Sequence, residues 1–485
     1  MKDLFIHDEI ILNQKIKIFF AFFCFLGIIG SFSVLIPSAQ KYFSPFVYKA
    51  LVNHPIALIN WISIFLIISL TCFFIIFIIT VIKKTINIYE IFIFMYFLIQ
   101  LLCVFNFDMD GYIQSSYLLS FRYGFAHRML IGTILDVLSG ADNILSGSYV
   151  SSAMIFYFVF CGTIWLSFLV STVIGYLIIK SDDKIPVLLL TVLYLSSSVS
   201  INAYFVQGNF GRMEIYVLLF MLIVPFIINK KLWRWFIPVL CFMSLAVYLA
   251  VVFFYIPFVF IILLYEIYNK PNRNRNDIVF FIITTLSIIV TFIYFVIFSK
   301  PTLAYQDEVI FAQILNNRTN INIRHYSSSL HYDFFLSIID TFRLAMSIYK
   351  EGILFRFYCI IQNLPLFLFF ILFWKKCIKI EQRKIVKLIF LISMLLPVFS
   401  IPAFFLFVDW GRWVIMMLTV QFMLVFYFFH RRENSVILVM DKFTLVVKKH
   451  NFMVVIYIML SVFMGPIQYV NASTNFMRLI ETFIK

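Results

Sequence analysis

The chain has 485 residues, of which 63% are apolar and only 13% charged, with a mean hydropathy of +1.01 and a formal net charge of +15. A soluble domain is roughly half apolar and about a quarter charged, and no globular core absorbs such an excess, because surface area fixes how many polar residues a soluble chain needs. A soluble fold is therefore excluded, and the expected class is an all-α polytopic integral membrane protein with about 12–13 transmembrane helices of roughly 20 residues each.

In chain order, the first segment, Met1 to Lys17, is mixed in charge, and no small-residue cleavage site follows the first apolar block. That block reads as a retained helix and not as a signal peptide. The expected crossings are 16–36, 56–82, 87–107, 150–179, 186–205, 213–229, 236–249, 251–268, 278–298, 353–374, 386–407, 412–429 and 451–470. The block 235–268 is too long for one span, has Pro257 inside it and basic residues on both flanks. It reads as a tight hairpin of two short helices. The whole chain, 1–485, forms one transmembrane domain with two enlarged loops on the same side, 106–149 and 299–352.

Orientation follows from the basic residues, which concentrate in cytoplasmic loops. With the N-terminus inside, cytoplasmic segments hold 24 of the 38 Lys and Arg, and the outer segments hold 14. Six of the inner 24 are Arg, against nine of the outer 14: Arg122, Arg128, Arg212, Arg318, Arg324, Arg343, Arg356, Arg412 and Arg478. Topology needs only positive charge, whereas Arg adds a planar fork that grips phosphate or carboxylate at two points. Headgroup anchoring is the simpler use of the same residues. The net charge does not call for nucleic acid, since no basic, aromatic-interleaved soluble module is present. Cys24, Cys72, Cys103, Cys161, Cys241 and Cys359 lie in apolar segments and Cys377 in a basic loop, with no C-x-x-C, so neither a disulfide framework nor a metal site is expected. No glycine-rich nucleotide loop occurs, and no cofactor is expected.

Asn106-Phe-Asp-Met-Asp-Gly111 places Asp108 and Asp110 just past a helix end. Alternate carboxylates in an extended turn can share a cation or act as base and orienter, and the same residues also make an Asx-type turn. Arg122-Tyr-Gly-Phe-Ala-His-Arg128 then leads into a helical pattern with Arg128, Gly132 and Asp136 on one stripe. If this block crossed the membrane, Lys180 and Lys184 would fall outside, so a re-entrant or interfacial helix fits better. His127 is a candidate general base.

Phe210-Gly211-Arg212 and Trp410-Gly411-Arg412 open two crossings that run inward. Arg at a helix N-terminus opposes the macrodipole, and a bound anion would remove that conflict. Without an anion, Asp409 would cap the helix and pair with Arg412, while Glu214 would offset Arg212. In the second large loop, Arg318, Arg324, His325, His331 and Asp333 are candidate sugar or phosphate contacts, or a solvated face.

With its dozen crossings, two Arg- and His-bearing outer loops, and the segments Arg122-Tyr-Gly-Phe-Ala-His-Arg128 and Asp409-Trp-Gly-Arg-Trp413, the chain resembles the Wzy-type repeat-unit polymerases of bacterial O-antigen and capsule. The resemblance implies a GT-C-type glycosyltransferase in the bacterial inner membrane that acts outside on undecaprenyl-pyrophosphate-linked oligosaccharides. It further implies that Arg122, Arg128, Arg212 and Arg412 hold pyrophosphate, and that His127, Asp108 or Asp110 takes the acceptor proton. Arg324, His325 and His331 would place the glycan, with a chain-length regulator and a flippase as partners. Two alternatives stand beside it. One is a GT-C enzyme adding a single sugar from a polyprenyl-phosphate donor. The other is a flippase for lipid-linked oligosaccharide, a transporter.

Overall fold

The computed structural model describes residues 111–138, 149–181, 183–205, 209–269, 275–298, 308–320, 338–406 and 409–450, with single positions at 93, 109, 452, 456, 457, 460 and 467. The expected crossings 16–36, 56–82, 87–107 and 451–470 lie outside the described residues, apart from those single positions. Every regular element among the described residues is helical. In chain order the α-helices are α1 (Gly111–Ser116), α2 (Leu130–Leu138), α3 (Ser152–Lys180), α4 (Ile185–Ser196), α5 (Glu214–Ile227), α6 (Phe236–Val247) and α7 (Tyr255–Tyr268). They continue with α8 (Arg275–Phe298), α9 (Glu308–Asn316), α10 (Ile338–Ile380), α11 (Lys384–Phe399), α12 (Ile401–Leu406), α13 (Trp410–His430) and α14 (Asn434–Lys449). Short 3-10 turns occupy Phe121–Tyr123, Ile201–Phe205, Trp233–Trp235 and Leu249–Phe253.

Among the described residues, five stretches are long and apolar enough to cross a membrane: Met154–Ile178, Arg275–Phe298, Cys359–Ile380, Lys384–Phe405 and Trp410–His430. The protein is thus an all-α polytopic membrane protein. Its helices differ sharply in what they face. The most apolar stretch of α13 is 78% buried, against 22% for α8, so α13 is the core and α8 meets lipid. The sequence of α8 shows why: Ile278, Ile282, Leu286, Ile289, Ile293 and Ile297 form an exposed stripe, while Phe280, Thr284, Ile288 and Phe295 turn inward. Helix α13 is apolar on all sides, and its polar Gln421 is fully satisfied. Trp374 Nε1 donates to Gln421 Oε1 at 2.7 Å, and Gln421 Nε2 donates to the Ser393 carbonyl at 2.9 Å.

Side-chain pairs sort the connections into two ends, called upper and lower here. At the lower end Arg234 pairs with Asp277. Arg383 binds Glu381 at 2.9 Å, donates to Asn269 Oδ1 at 2.8 Å and pairs with Glu433. Tyr265 Oη donates to Glu433 at 2.7 Å, and Arg431 binds Glu266 at 2.7 Å. Burial alone would raise the Glu381 carboxyl, but the hydrogen bonds from Arg383 outweigh it and pull it down to about 2. These contacts join the α5–α6, α7–α8, α10–α11 and α13–α14 connections, which the basic-residue pattern assigns to one side. The expected hairpin at 235–268 is present as α6 and α7, with Leu249–Phe253 as its upper turn.

Three boundaries differ from the sequence expectation. The crossing expected at 353–374 belongs to a single 43-residue helix, α10, so residues 338–352 of the expected large loop are helical. Asp340, Arg343, Lys350 and Glu351 lower the hydropathy there without supplying a helix breaker. The crossing expected at 186–205 stops at Ser196 and continues as the serine-rich turn Ser196–Ser200 and a 3-10 turn. That break lies at mid-depth, since Thr419 Oγ1, halfway along α13, donates to the Val199 carbonyl at 3.2 Å. Irregular backbone at this depth needs protein partners. Ser198 Oγ donates to Asn363 Oδ1 at 2.8 Å, and the Ile467 amide donates to the Ser198 carbonyl at 3.1 Å. Finally, the segment 434–449, expected as a connection, forms α14 and packs on α10, α4 and α13.

Candidate anion-binding cleft

The upper end carries a small cleft lined by Ile113, Ser116, Arg128, Gly211, Arg212, Met213, Glu214, Tyr248 and Arg412. Three of the four arginines expected to hold pyrophosphate therefore face one space. Each arrives from a different element: Arg128 from the turn before α2, Arg212 from the turn before α5, and Arg412 from the first turn of α13.

Tyr248, in the α6–α7 turn, organises two of them. Its ring lies 4.8 Å from the Arg128 guanidinium and 5.6 Å from that of Arg412, and its hydroxyl accepts from Arg412 Nη2 at 3.0 Å. Stacking locks the ring: Trp413 lies between Tyr248 (5.9 Å, 18°) and Phe254 (5.5 Å, 13°). Each such cation–π contact contributes about 0.5–2 kcal/mol, depending on desolvation.

Two carboxylates offset the positive charge. Glu214 Oε1 binds Arg412 Nη1 at 2.7 Å, and Asp409 pairs with the same guanidinium. Glu214 therefore pairs across the cleft with Arg412, and it lines the cleft beside Arg212. Asp409 does pair with Arg412 as expected, but its side chain makes no capping hydrogen bond to the helix. The cleft interior admits the centre of a water-sized group over about 20 Å³, room for about one water.

The two aromatic-Gly-Arg segments reach the cleft by different geometry. Gly211 has φ of +86°, a left-handed conformation that favours glycine, and a side chain there would meet Ile113 Cγ2 at 2.9 Å. Tyr117 Oη fixes this turn by donating to the Gly211 carbonyl at 2.6 Å. Gly411 instead lies within the first turn of α13 and is buried.

Arg128 also sits in the left-handed region, with φ of +66°. It precedes α2, so the expected Arg128–Gly132–Asp136 stripe is helical only for Gly132 and Asp136, both buried. Its amide donates to the Ala246 carbonyl at 2.8 Å, which ties the turn to the end of α6. A non-glycine residue costs about 1–2 kcal/mol in this region, and such strain collects at functional positions. Helix α2 itself spans nine residues, about 13 Å, too short to cross a bilayer.

Arg122 and Arg318 belong to a second cluster. Their guanidiniums lie 5.3 and 5.5 Å from the Tyr123 ring. Arg318 also hydrogen-bonds the Tyr123 hydroxyl and pairs with Asp136, buried on both sides. The Arg318 carbonyl accepts from Val150 N at 2.8 Å, and Asn320 Oδ1 accepts from Ser152 N at 2.8 Å. Arg318 is thus a brace between the two large loops. Arg122 stands on Tyr123, apart from the residues lining the cleft.

His127 is partly buried in the turn before Arg128. Burial, and secondarily the Arg128 charge, push its pKa down to about 3. Its imidazole is neutral at pH 7 but a weak base. Asp108, Asp110, Arg324, His325 and His331 lie outside the described residues. Tyr248 and Glu214, which bond Arg412, are among the cleft residues that the sequence did not assign to the site. The one available signal for Glu214 was a carboxylate opening an apolar helix.

No family model, no characterised protein and no solved structure matches this chain.

Proposed function

We propose that the chain polymerises oligosaccharide repeat units carried on undecaprenyl pyrophosphate, with the upper end at the extracytoplasmic face of a bacterial inner membrane. The observation that carries this reading is the convergence of Arg128, Arg212 and Arg412 on one cleft at the end of an apolar bundle. A lipid-linked phosphate group is an anion delivered at that depth, and planar guanidiniums bind it bidentately. In the reaction, an acceptor hydroxyl oxygen bonds to the anomeric carbon of the donor glycan. The bond from that carbon to the pyrophosphate oxygen breaks, and the electron pair leaves with the lipid pyrophosphate. The guanidiniums stabilise the departing charge. The hydroxyl proton passes to a carboxylate, for which Glu214 is the described candidate in the cleft wall and Asp108 and Asp110 are the others. His127, at about 3, is poorly matched to that task.

A second reading stands on the same convergence of arginines: a phosphodiester monoanion, the group of a polyprenyl-phosphate monosaccharide, is also an anion that guanidiniums bind. The two enzyme readings separate in proteoliposomes holding the purified protein and either an undecaprenyl-pyrophosphate-linked repeat unit or a polyprenyl-phosphate monosaccharide. A ladder of multiples from the first lipid, lost in Arg412→Ala, supports the polymerase. Single-sugar addition from the second supports the transferase. If neither lipid is consumed and the glycan only crosses the bilayer, both are wrong and the protein is a transporter.

A further inference from the structure

The turn between α5 and α6, residues 228–235, differs from the lipid-facing surface of α8. That helix meets lipid with aliphatic side chains, Ile282, Leu286 and Ile293 among them. The turn and the start of α6 present instead Leu232, Trp233, Trp235 and Phe236, at 76%, 54%, 40% and 51% exposure, directly after the exposed Lys230 and Lys231. Among the described tryptophans, Trp233 and Trp235 alone are exposed.

Local geometry explains this display. The Lys230 amide donates to the Ile227 carbonyl at 2.9 Å, and the Arg234 amide donates to the Lys230 carbonyl at 2.9 Å. This winding turns Arg234 inward, where it is buried, pairs with Asp277 and lies 5.0 Å from the Phe280 ring. With position 234 pinned to α8, its neighbours on either side face away from the bundle. The Trp235 ring meets the same Phe280 ring at 5.2 Å and 81°, and the Trp233 ring lies 5.5 Å from that of Phe236.

Charge at this end is sorted by burial. Glu266, Asp277, Glu381 and Glu433 are buried and paired with Arg431, Arg234 and Arg383. Among the described residues, no carboxylate pairs with Lys230 or Lys231. An indole prefers the boundary where its ring is in hydrocarbon and its N–H is wet. A lysine ammonium reaches a phosphate there as a point charge. A zwitterionic headgroup suits the indoles but not two adjacent ammoniums, whereas an anionic one suits both.

We propose that the α5–α6 turn binds an anionic glycerophospholipid of the lower leaflet, with Lys230 and Lys231 on its phosphate and the Trp233 and Trp235 rings at the level of its ester groups. The proposal is independent of what occupies the arginine cleft at the other end.

The test places the full-length protein in vesicles of equal phosphatidylglycerol and phosphatidylcholine, with brominated acyl chains on one lipid or on the other. Bromine quenches indole fluorescence on contact, and subtracting the signal of Trp233→Phe/Trp235→Phe isolates the two turn residues from the other tryptophans. Quenching of that part is expected to be stronger when phosphatidylglycerol carries the bromine. Lys230→Gln and Lys231→Gln are each expected to lower this preference about fivefold, and added salt is expected to lower it as well. Lys448→Gln/Lys449→Gln, which changes two exposed lysines of α14, should leave it unchanged. Equal quenching by the two lipids would overturn the proposal. A preference untouched by Lys230→Gln/Lys231→Gln, or lowered as much by the α14 pair, would overturn it as well, the latter by making it a property of overall charge. Quenching by neither lipid would mean that protein covers the turn, and would also overturn it.

Discussion

Replacing Arg412 by methionine removes a guanidinium that pairs with two carboxylates, Glu214 and Asp409. The Glu214 side chain is 2% exposed and that of Asp409 13%, so Glu214 loses its 2.7 Å partner in a site with little access to water. Breaking such a pair costs about 3–5 kcal/mol, with most of it assigned here to Glu214 because Asp409 keeps some access to water. Adding Glu214→Gln to Arg412→Met is therefore expected to recover most of the lost stability, since the amide carries no charge. Function is expected to respond differently, because the double variant still lacks the guanidinium that would hold the lipid phosphate. Thermal unfolding in detergent, run beside glycan-ladder formation from the lipid-linked donor, reads both quantities. A double variant as unstable as the single one would refute the pairing of Glu214 with Arg412. A stable double variant with full ladders would refute the anion-holding role of Arg412.

Three further outcomes follow from the same geometry. A Cβ on Gly132 would stand 1.9 Å from the Leu119 carbonyl oxygen and 2.8 Å from that of Tyr117, so Gly132→Ala must displace α2 and is expected to cost about 3 kcal/mol or more; an unchanged melting temperature would contradict this packing. At Arg128, glycine relieves the left-handed backbone where alanine does not, so Arg128→Gly is expected to be more stable than Arg128→Ala by about 1 kcal/mol, with both losing ladder formation equally. His127 gives a pH signature: its folded pKa, about 3, lies below the ordinary value near 6.5. Its stabilising contribution is complete above pH 6.5 and is lost as pH falls toward 3, at up to about 1.4 kcal/mol per pH unit. Unfolding measured between pH 4.5 and 6.5 should show this slope in the wild type and lose it in His127→Gln.

Much of the helical layout was legible because apolar blocks and basic flanks carry it directly. The hairpin of α6 and α7 was readable from the length of block 235–268 and its basic neighbours. The start of α10 was not, because charges at 340–351 look like a loop to a hydropathy window while leaving helix propensity intact. The break after Ser196 was equally hidden, since its partners Asn363, Thr419 and Ile467 are remote in sequence. At the cleft, arginine excess and the repeated aromatic-Gly-Arg starts pointed to Arg212 and Arg412. What no single sequence encodes is the pairing across the fold. Tyr248 lies 164 residues from Arg412, and Glu214 pairs with that same distant arginine.

Helix α13 works as a keyed pin. Its first turn places Arg412 against Glu214, its middle seats Gln421 between Trp374 and Ser393, and its last turns engage Glu266 through Tyr427 and Arg431. These keys lie at fixed angles around one rod. A slip of one residue rotates the rod by about 100° and withdraws all of them together. The cleft at one end therefore shares its alignment with the charge network at the other, and a lesion at Glu266 or Tyr427 should be felt some 20 residues away as a misplaced Arg412.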